Sequence, residues 1–265
     1  MSTVQIPAGK TWFDTHKVHF EDVPISSSDN QGISTTEFLN ASEATTTLFD
    51  LLGSVAFTPV KNDMLTNVTK VRERQKSAPP GSSETLQSLV KTELASTPKS
   101  HKATEGLLWL VRGLDFTAQS LRADLTNNAA VSPTETKPNK ELADGFRAAY
   151  KNTLAPHHGF LIKPIFSAAM SATPYRKDFY VRLGGQGTDP ETVRQALEKW
   201  VSALEKRVEI LKTFLASKEA KWKKEIYPRQ GGTEEKKKKK KKNKKKTNKK
   251  KKTKKTKKTK KKPTT

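Results

Sequence analysis

Apolar residues recur at helical spacing along most of the chain. Val60, Met64, Val68 and Val71 mark one inward face and predict a helix over residues 58–76. Thr58 is its expected cap, and Pro59 sits in the first turn, where the lost N–H costs nothing. The same stretch, "FTPVKNDMLTNVTK" (57–70), places Asp63, Asn67 and Lys70 at i, i+4 and i+7 on a second face. Upstream, a helix is expected to open at Ser34 with Glu37 closing a capping box, to carry Phe38, Leu48, Phe49 and Leu52, and to stop at Gly53. Downstream, residues 83–96 form a short helix with Leu86, Leu89, Val90 and Leu94 inward. "GLLWLVRGLDF" is apolar on nearly all sides, so its helix is central and buried. "NKELADGFRAAYKNTL" is amphipathic through Leu142, Phe146, Tyr150 and Leu154. "HHGFLIKPIFSAAMSA" reads as a helix interrupted or kinked at Pro164. "YRKDFYVRL" ends at Gly184-Gly185, and Asp189-Pro190 starts a long helix through Val193, Leu197, Trp200, Leu204, Val208, Leu211 and Leu215.

About eight helical segments with no run of alternating β-branched residues predict an all-α fold in a single domain. Residues 1–33 are turn-rich and are expected to pack on a domain spanning 34–222. Residues 223–235 read as a linker, followed by a low-complexity lysine run.

That run dominates the charge. The formal net charge is +24, but 21 lysines lie between Lys236 and Lys262, leaving 30 basic against 27 acidic residues before them. The body is therefore nearly balanced. The tail repels itself, buries nothing apolar and is expected to be disordered. It suits an anionic membrane surface, and a nuclear-targeting role also stays open. A nucleic-acid partner is disfavoured, because the body carries no reading motif.

The chain has no cysteine, so thiolate chemistry and disulfides are excluded. No apolar run suggests a signal peptide or a membrane span, and a cytoplasmic location is expected. Phosphate-cradling loops, HExxH and G-x-S-x-G are absent from the sequence. "GGQG" at 184–187 is a helix stop. His157 and His158 are adjacent, a poor spacing for two metal ligands on one face, and no metal or cofactor is expected.

The row Asp63, Asn67, Lys70 supports two readings. One is a solvated face. The other is a recognition strip in which carboxylate, amide and ammonium supply acceptors and donors for vicinal hydroxyls. A second carboxylate for glycoside cleavage is missing, so such a strip binds without cutting. Trp109 is either core or a stacking platform, with Arg112 three residues on and on the same face. Phe49, Phe116, Phe166 and Phe179 are core by default.

"LFDLLGSVAFTPVKNDMLTNVTKV", "GLLWLVRGLDF" and "HHGFLIKPIFSAAMSATPYRKDF" closely resemble, in order and spacing, the glycolipid transfer proteins across about residues 34–222. "TWFDTHKVHFEDVPI" is most similar to fungal members. The resemblance implies a two-layer all-helical sandwich whose core holds lipid chains, and a carrier rather than an enzyme. It implies that Asp63, Asn67 and Lys70 hydrogen-bond a sugar headgroup and ceramide amide, that Trp109 stacks on the first sugar, and that His158 bonds the amide carbonyl. Arg112 is an additional headgroup candidate. By position Phe49, Leu52, Val60, Phe116, Phe166, Met170 and Phe179 would line the chain pocket. Phe160 stands where many animal members carry a tryptophan that helps membrane docking. The implied ligand is a glycosphingolipid such as glucosylceramide or galactosylceramide, carried by a monomer working peripherally at membranes. A ceramide-1-phosphate carrier and a sensor that binds without shuttling are the alternatives.

Overall fold

The computed structural model describes residues 4–27, 31–96 and 100–221. The linker and the Lys236–Lys262 run lie outside them, as does Trp222. The described residues form an all-α, two-layer helical sandwich with nine α-helical segments. These are α1 (Thr35–Thr45), α2 (Leu48–Leu51), α3 (Thr58–Ser77), α4 (Leu86–Ser96), α5 (Lys102–Asn127), α6 (Leu142–Thr153), α7 (Lys163–Ser171), α8 (Arg176–Leu183) and α9 (Pro190–Ala216). A two-residue antiparallel pair, β1 (Ile25–Ser26) with β2 (Gly32–Ile33), precedes them.

The apolar run of α5 places it centrally. Leu107, Leu110, Val111, Leu114 and Leu121 are buried, and the helix packs against α3, α6 and α9. Asp189 caps α9 by accepting from Thr192 N at 3.1 Å.

Four local expectations need correction. The helix expected over 34–52 is split into α1 and α2 at a run of threonines. Thr45, Thr46 and Thr47 each turn a hydroxyl back onto a carbonyl, those of Ala41, Glu43 and Ala44. The N–H groups of Thr46 and Thr47 bond three residues back, which tightens and ends α1. Thr47 Oγ1 also accepts from Trp12 Nε1 at 3.0 Å, so the break has a tertiary use. Ser34 does not close a capping box, because its hydroxyl bonds the Glu37 carboxylate instead of a backbone N–H. Thr58 is already helical; the lead-in is a short 3-10 turn, Val55–Phe57, capped by Ser54. Pro164 lies in the first turn of α7, where it starts a helix rather than kinking one.

The N-terminal segment is fastened across the molecule. Trp12 and Phe20 meet the Trp200 ring edge-on at 5.8 and 5.6 Å. Arg207 of α9 donates to the carbonyls of Glu21 and Val23. Elsewhere, Asp124 and Arg176 form an ion pair at 2.8 Å with both side chains 1% exposed. Tyr180 O–H and Asn128 Nδ2 donate to the same carboxylate, and Arg176 Nη1 reaches Ser132 O. This network ties α5 to α8 and to the connection before α6.

Candidate functional site

The α3 strip is internally wired. Asn67 is buried; its Nδ2 donates to Asp63 Oδ2 at 3.1 Å, and its Oδ1 accepts from Lys70 Nζ at 3.0 Å. A carboxylate on one side and an ammonium on the other allow the amide only one orientation. Asp63 is exposed and Lys70 half-buried, so the strip meets solvent at both ends.

Gly106 brings α5 against this strip. A methyl group there would stand 3.1 Å from Lys70 Cβ and 3.2 Å from Asn67 O, tighter than ordinary packing. One helical turn further, Trp109 is 9% exposed, and Arg112 Cζ lies 5.0 Å from the centre of its ring. The connection from α6 to α7 supplies the opposing wall. His158 stacks on Trp109 at 5.7 Å with planes 14° apart, and His157 meets the same ring edge-on at 6.3 Å. His158 also packs on Phe166 at 4.6 Å, and its Nδ1 lies 3.2 Å from Tyr150 Oη.

Burial pushes the His158 pKa down to about 4, helped by a neighbouring His157 whenever that ring is protonated and by the cations Arg112 and Lys163. His157 is lowered too, by burial and then by Arg112. His158 is therefore a neutral imidazole at physiological pH, able to donate from one nitrogen and accept at the other. The residues Asp63, Asn67, Lys70, Trp109, Arg112 and His158 thus occupy α3, α5 and the turn after α6. Spacing did not reveal the parts played by Tyr150 and His157. Tyr150 reads as core, and only the turn after α6 brings its hydroxyl to His158.

The apolar candidates Phe49, Leu52, Val60, Phe116, Phe166, Met170 and Phe179 are all buried. Five rings continue from the histidine into the interior. Phe166 meets Phe116 at 6.3 Å, Phe116 meets Phe146 at 5.6 Å, Phe146 meets Phe57 at 6.1 Å, and Phe57 stacks on Phe49 at 6.1 Å. At that far end an open groove of about 770 Å³ is lined by Val4, Ile6, Phe49, Val55, Phe57 and Arg182, among others. Phe49 is the pocket candidate on its wall. Beside the histidines, Phe160, Leu161, Ile162 and Ile165 are exposed, Phe160 by 77%. Among the described residues no acid or histidine cluster could hold a metal ion, and no helix is long and apolar enough to cross a membrane.

Residues 33–185 match the family model described as glycolipid transfer protein (GLTP). The chain belongs to the glycolipid transfer protein family. Members of this family are lipid transfer proteins, not enzymes. The glycolipid transfer protein of Aureobasidium melanogenum is 57% identical over 216 residues, which are 82% of this chain and 98% of that protein. The crystal structure of HET-C2, a fungal glycolipid transfer protein, aligns with a TM-score of 0.72 at 53% identity, covering 80% of this chain and all of that one. A structure describing how FAPP2 selects simple glycosphingolipids using the GLTP fold aligns with a TM-score of 0.66 at 30% identity, over 80% of this chain and 98% of that one.

Proposed function

We propose that this protein carries glycosphingolipids between membranes, without covalent chemistry. The observation that carries this reading is the contiguity of two surfaces. A wired polar strip (Asp63, Asn67, Lys70) packs against α5 at Gly106, one helical turn before Trp109; His158 stacks on Trp109, and from His158 a series of buried rings leads inward. In this reading the sugar hydroxyls and the ceramide amide bond to the strip, the sugar stacks on the indole, and the hydrocarbon chains enter by parting the buried rings. Membrane and protein both offer apolar surroundings, each worth about 0.8 kcal/mol per CH₂. The chains therefore cost little to exchange, and the headgroup decides selection, because a lipid without hydroxyls leaves polar atoms unpaired.

The exposed Phe160, Leu161, Ile162 and Ile165 support docking to a membrane surface at the site's edge. The lysine run adds attraction to anionic leaflets, roughly 1 kcal/mol for each lysine near the surface, which salt screens. Trp109 favours a sugar over a phosphate, since a ring face offers no positive charge. The protein works as a monomer on the cytoplasmic side of membranes. The test is vesicle-to-vesicle transfer of labelled galactosylceramide in competition with ceramide-1-phosphate. Faster transfer of the sugar lipid is expected. Preferential pickup of the phosphorylated lipid would sink the reading, and tight binding with negligible release would make the protein a sensor.

A further inference from the structure

The contact between Tyr150 and His158 belongs to neither the polar strip nor the chain-binding interior. We propose that Tyr150 is a positioning residue for the headgroup site: its phenolic O–H donates to His158 Nδ1, which places the proton of the neutral imidazole on Nε2 and leaves that atom as the donor to a ligand oxygen. The inference rests on the glycosphingolipid reading only for the identity of that oxygen, an amide carbonyl or a sugar hydroxyl.

The geometry supports this direction of the bond. Tyr150 is 8% exposed, and a buried phenol needs an acceptor for its hydrogen. His158 Nδ1, at 3.2 Å, is the acceptor the fold provides. The phenolic oxygen, by contrast, tolerates an unused lone pair far better than its hydrogen tolerates having no acceptor. Burial also pushes the Tyr150 pKa up, so the phenol keeps its proton. Its ring is held by stacking on Phe166, 5.1 Å away with planes 12° apart. The His158 ring rests on both Trp109 and Phe166, so its orientation is fixed as well. The groups facing it with positive charge are Arg112 on α5 and Lys163 on α7, joined by His157 when that ring is protonated, and all oppose the imidazolium form. A neutral ring has two tautomers, and the hydrogen bond at one nitrogen selects which is present. If Nδ1 carried the proton instead, Nε2 would be a bare acceptor and would repel a carbonyl oxygen.

The experiment is long-range proton–nitrogen correlation NMR of the full chain labelled with ¹⁵N-histidine, at about pH 7, where histidine tautomers rather than imidazolium are expected for this ring. The wild type is expected to show His158 protonated at Nε2 and bare at Nδ1. Tyr150→Phe, which keeps the stack on Phe166, is expected to convert His158 to a mixture of tautomers and to weaken galactosylceramide binding about tenfold. A wild-type ring protonated at Nδ1 would overturn the proposal, as would an unchanged tautomer in Tyr150→Phe. Should that variant not fold, the wild-type spectrum alone still decides. A protein that binds no glycolipid but shows the Nε2 tautomer would refute the proposed function and leave this inference standing.

Discussion

Replacing Asp63 by Asn tests the recognition strip with the least disturbance of the fold. The side chain keeps its size, and its remaining carbonyl oxygen can still accept from Asn67 Nδ2, as the carboxylate does at 3.1 Å. Valine at this position would instead leave the buried Asn67 amide without that acceptor, mixing a folding cost with a binding cost. Asp63 is exposed, so Asp63→Asn should change stability by no more than about 0.5 kcal/mol. Binding changes more. A hydrogen bond to a charged acceptor contributes about 1.5–3 kcal/mol, whereas a neutral one contributes about 0.5–1.5. The difference of about 1–2 kcal/mol corresponds to a 5- to 30-fold loss of affinity. Galactosylceramide binding and transfer would be measured beside urea unfolding of the same preparation. Affinity within about twofold of wild type, less than about 0.5 kcal/mol, would refute a headgroup role for Asp63. A matching fall in stability would show that the strip serves the fold.

Trp109→Ala should cost about 3–5 kcal/mol in unfolding experiments, because the ring is 9% exposed, so its transfer defect must be read against Trp109→Phe, which retains a buried ring but a smaller stacking face. The pKa of His158 in the folded protein lies below that of the unfolded chain, so unfolded molecules take up the proton first as pH falls. Its contribution is complete above about 6.5 and is lost as pH drops towards about 4; the full effect of about 3 kcal/mol, discounted for partial exposure, leaves about 1–2, measurable as the difference in acid sensitivity between wild type and His158→Gln. Arg176→Met should destabilise by about 3–5 kcal/mol by stranding the buried Asp124 carboxylate, while Arg176→Met with Asp124→Leu should recover part of that in thermal melts. Phe160→Asp should weaken vesicle binding with no change in melting temperature, since Phe160 is 77% exposed in the free protein.

Much of this architecture could be read from periodicity because the helices bury continuous apolar faces. The inward row Val60, Met64, Val68 and Val71 is buried as expected, and so are Leu142, Phe146, Tyr150 and Leu154. What periodicity missed depended on competition between local and distant partners. Nothing in "EATTTLF" announces that three hydroxyls will turn back on the helix, or that Trp12, far upstream, will claim one of them. Pro164 fits both a kink and a first turn by pattern, and only the turns at 154–157 and 160–162 decide which. The headgroup candidates on α3 were legible because a single helix displays them. Their link to α5 through Gly106, and the second contact of His158 with Tyr150, join residues whose proximity no spacing rule encodes. Arg176 and Asp124 illustrate the same limit: each looks like an ordinary surface charge until the fold brings them together inside.

The clasp between the N-terminal segment and α9 has a consequence for the order of events during synthesis. Arg207 lies 186 and 184 positions after the two carbonyls it holds, those of Glu21 and Val23. At translation rates of about 5–20 residues per second, the rings of Trp12, Phe13 and Phe20 wait about 10–40 seconds for the helix that covers them. Throughout that interval α3 and α5 can already pair, whereas the earliest part of the chain stays sticky and unsheltered. Closing so long a span is entropically slow even once α9 exists. A chain cut short within α9 therefore leaves the ribosome with its oldest aromatic residues exposed, and its characteristic failure should be aggregation through the first 25 residues rather than through the buried rings between α3, α5 and α6.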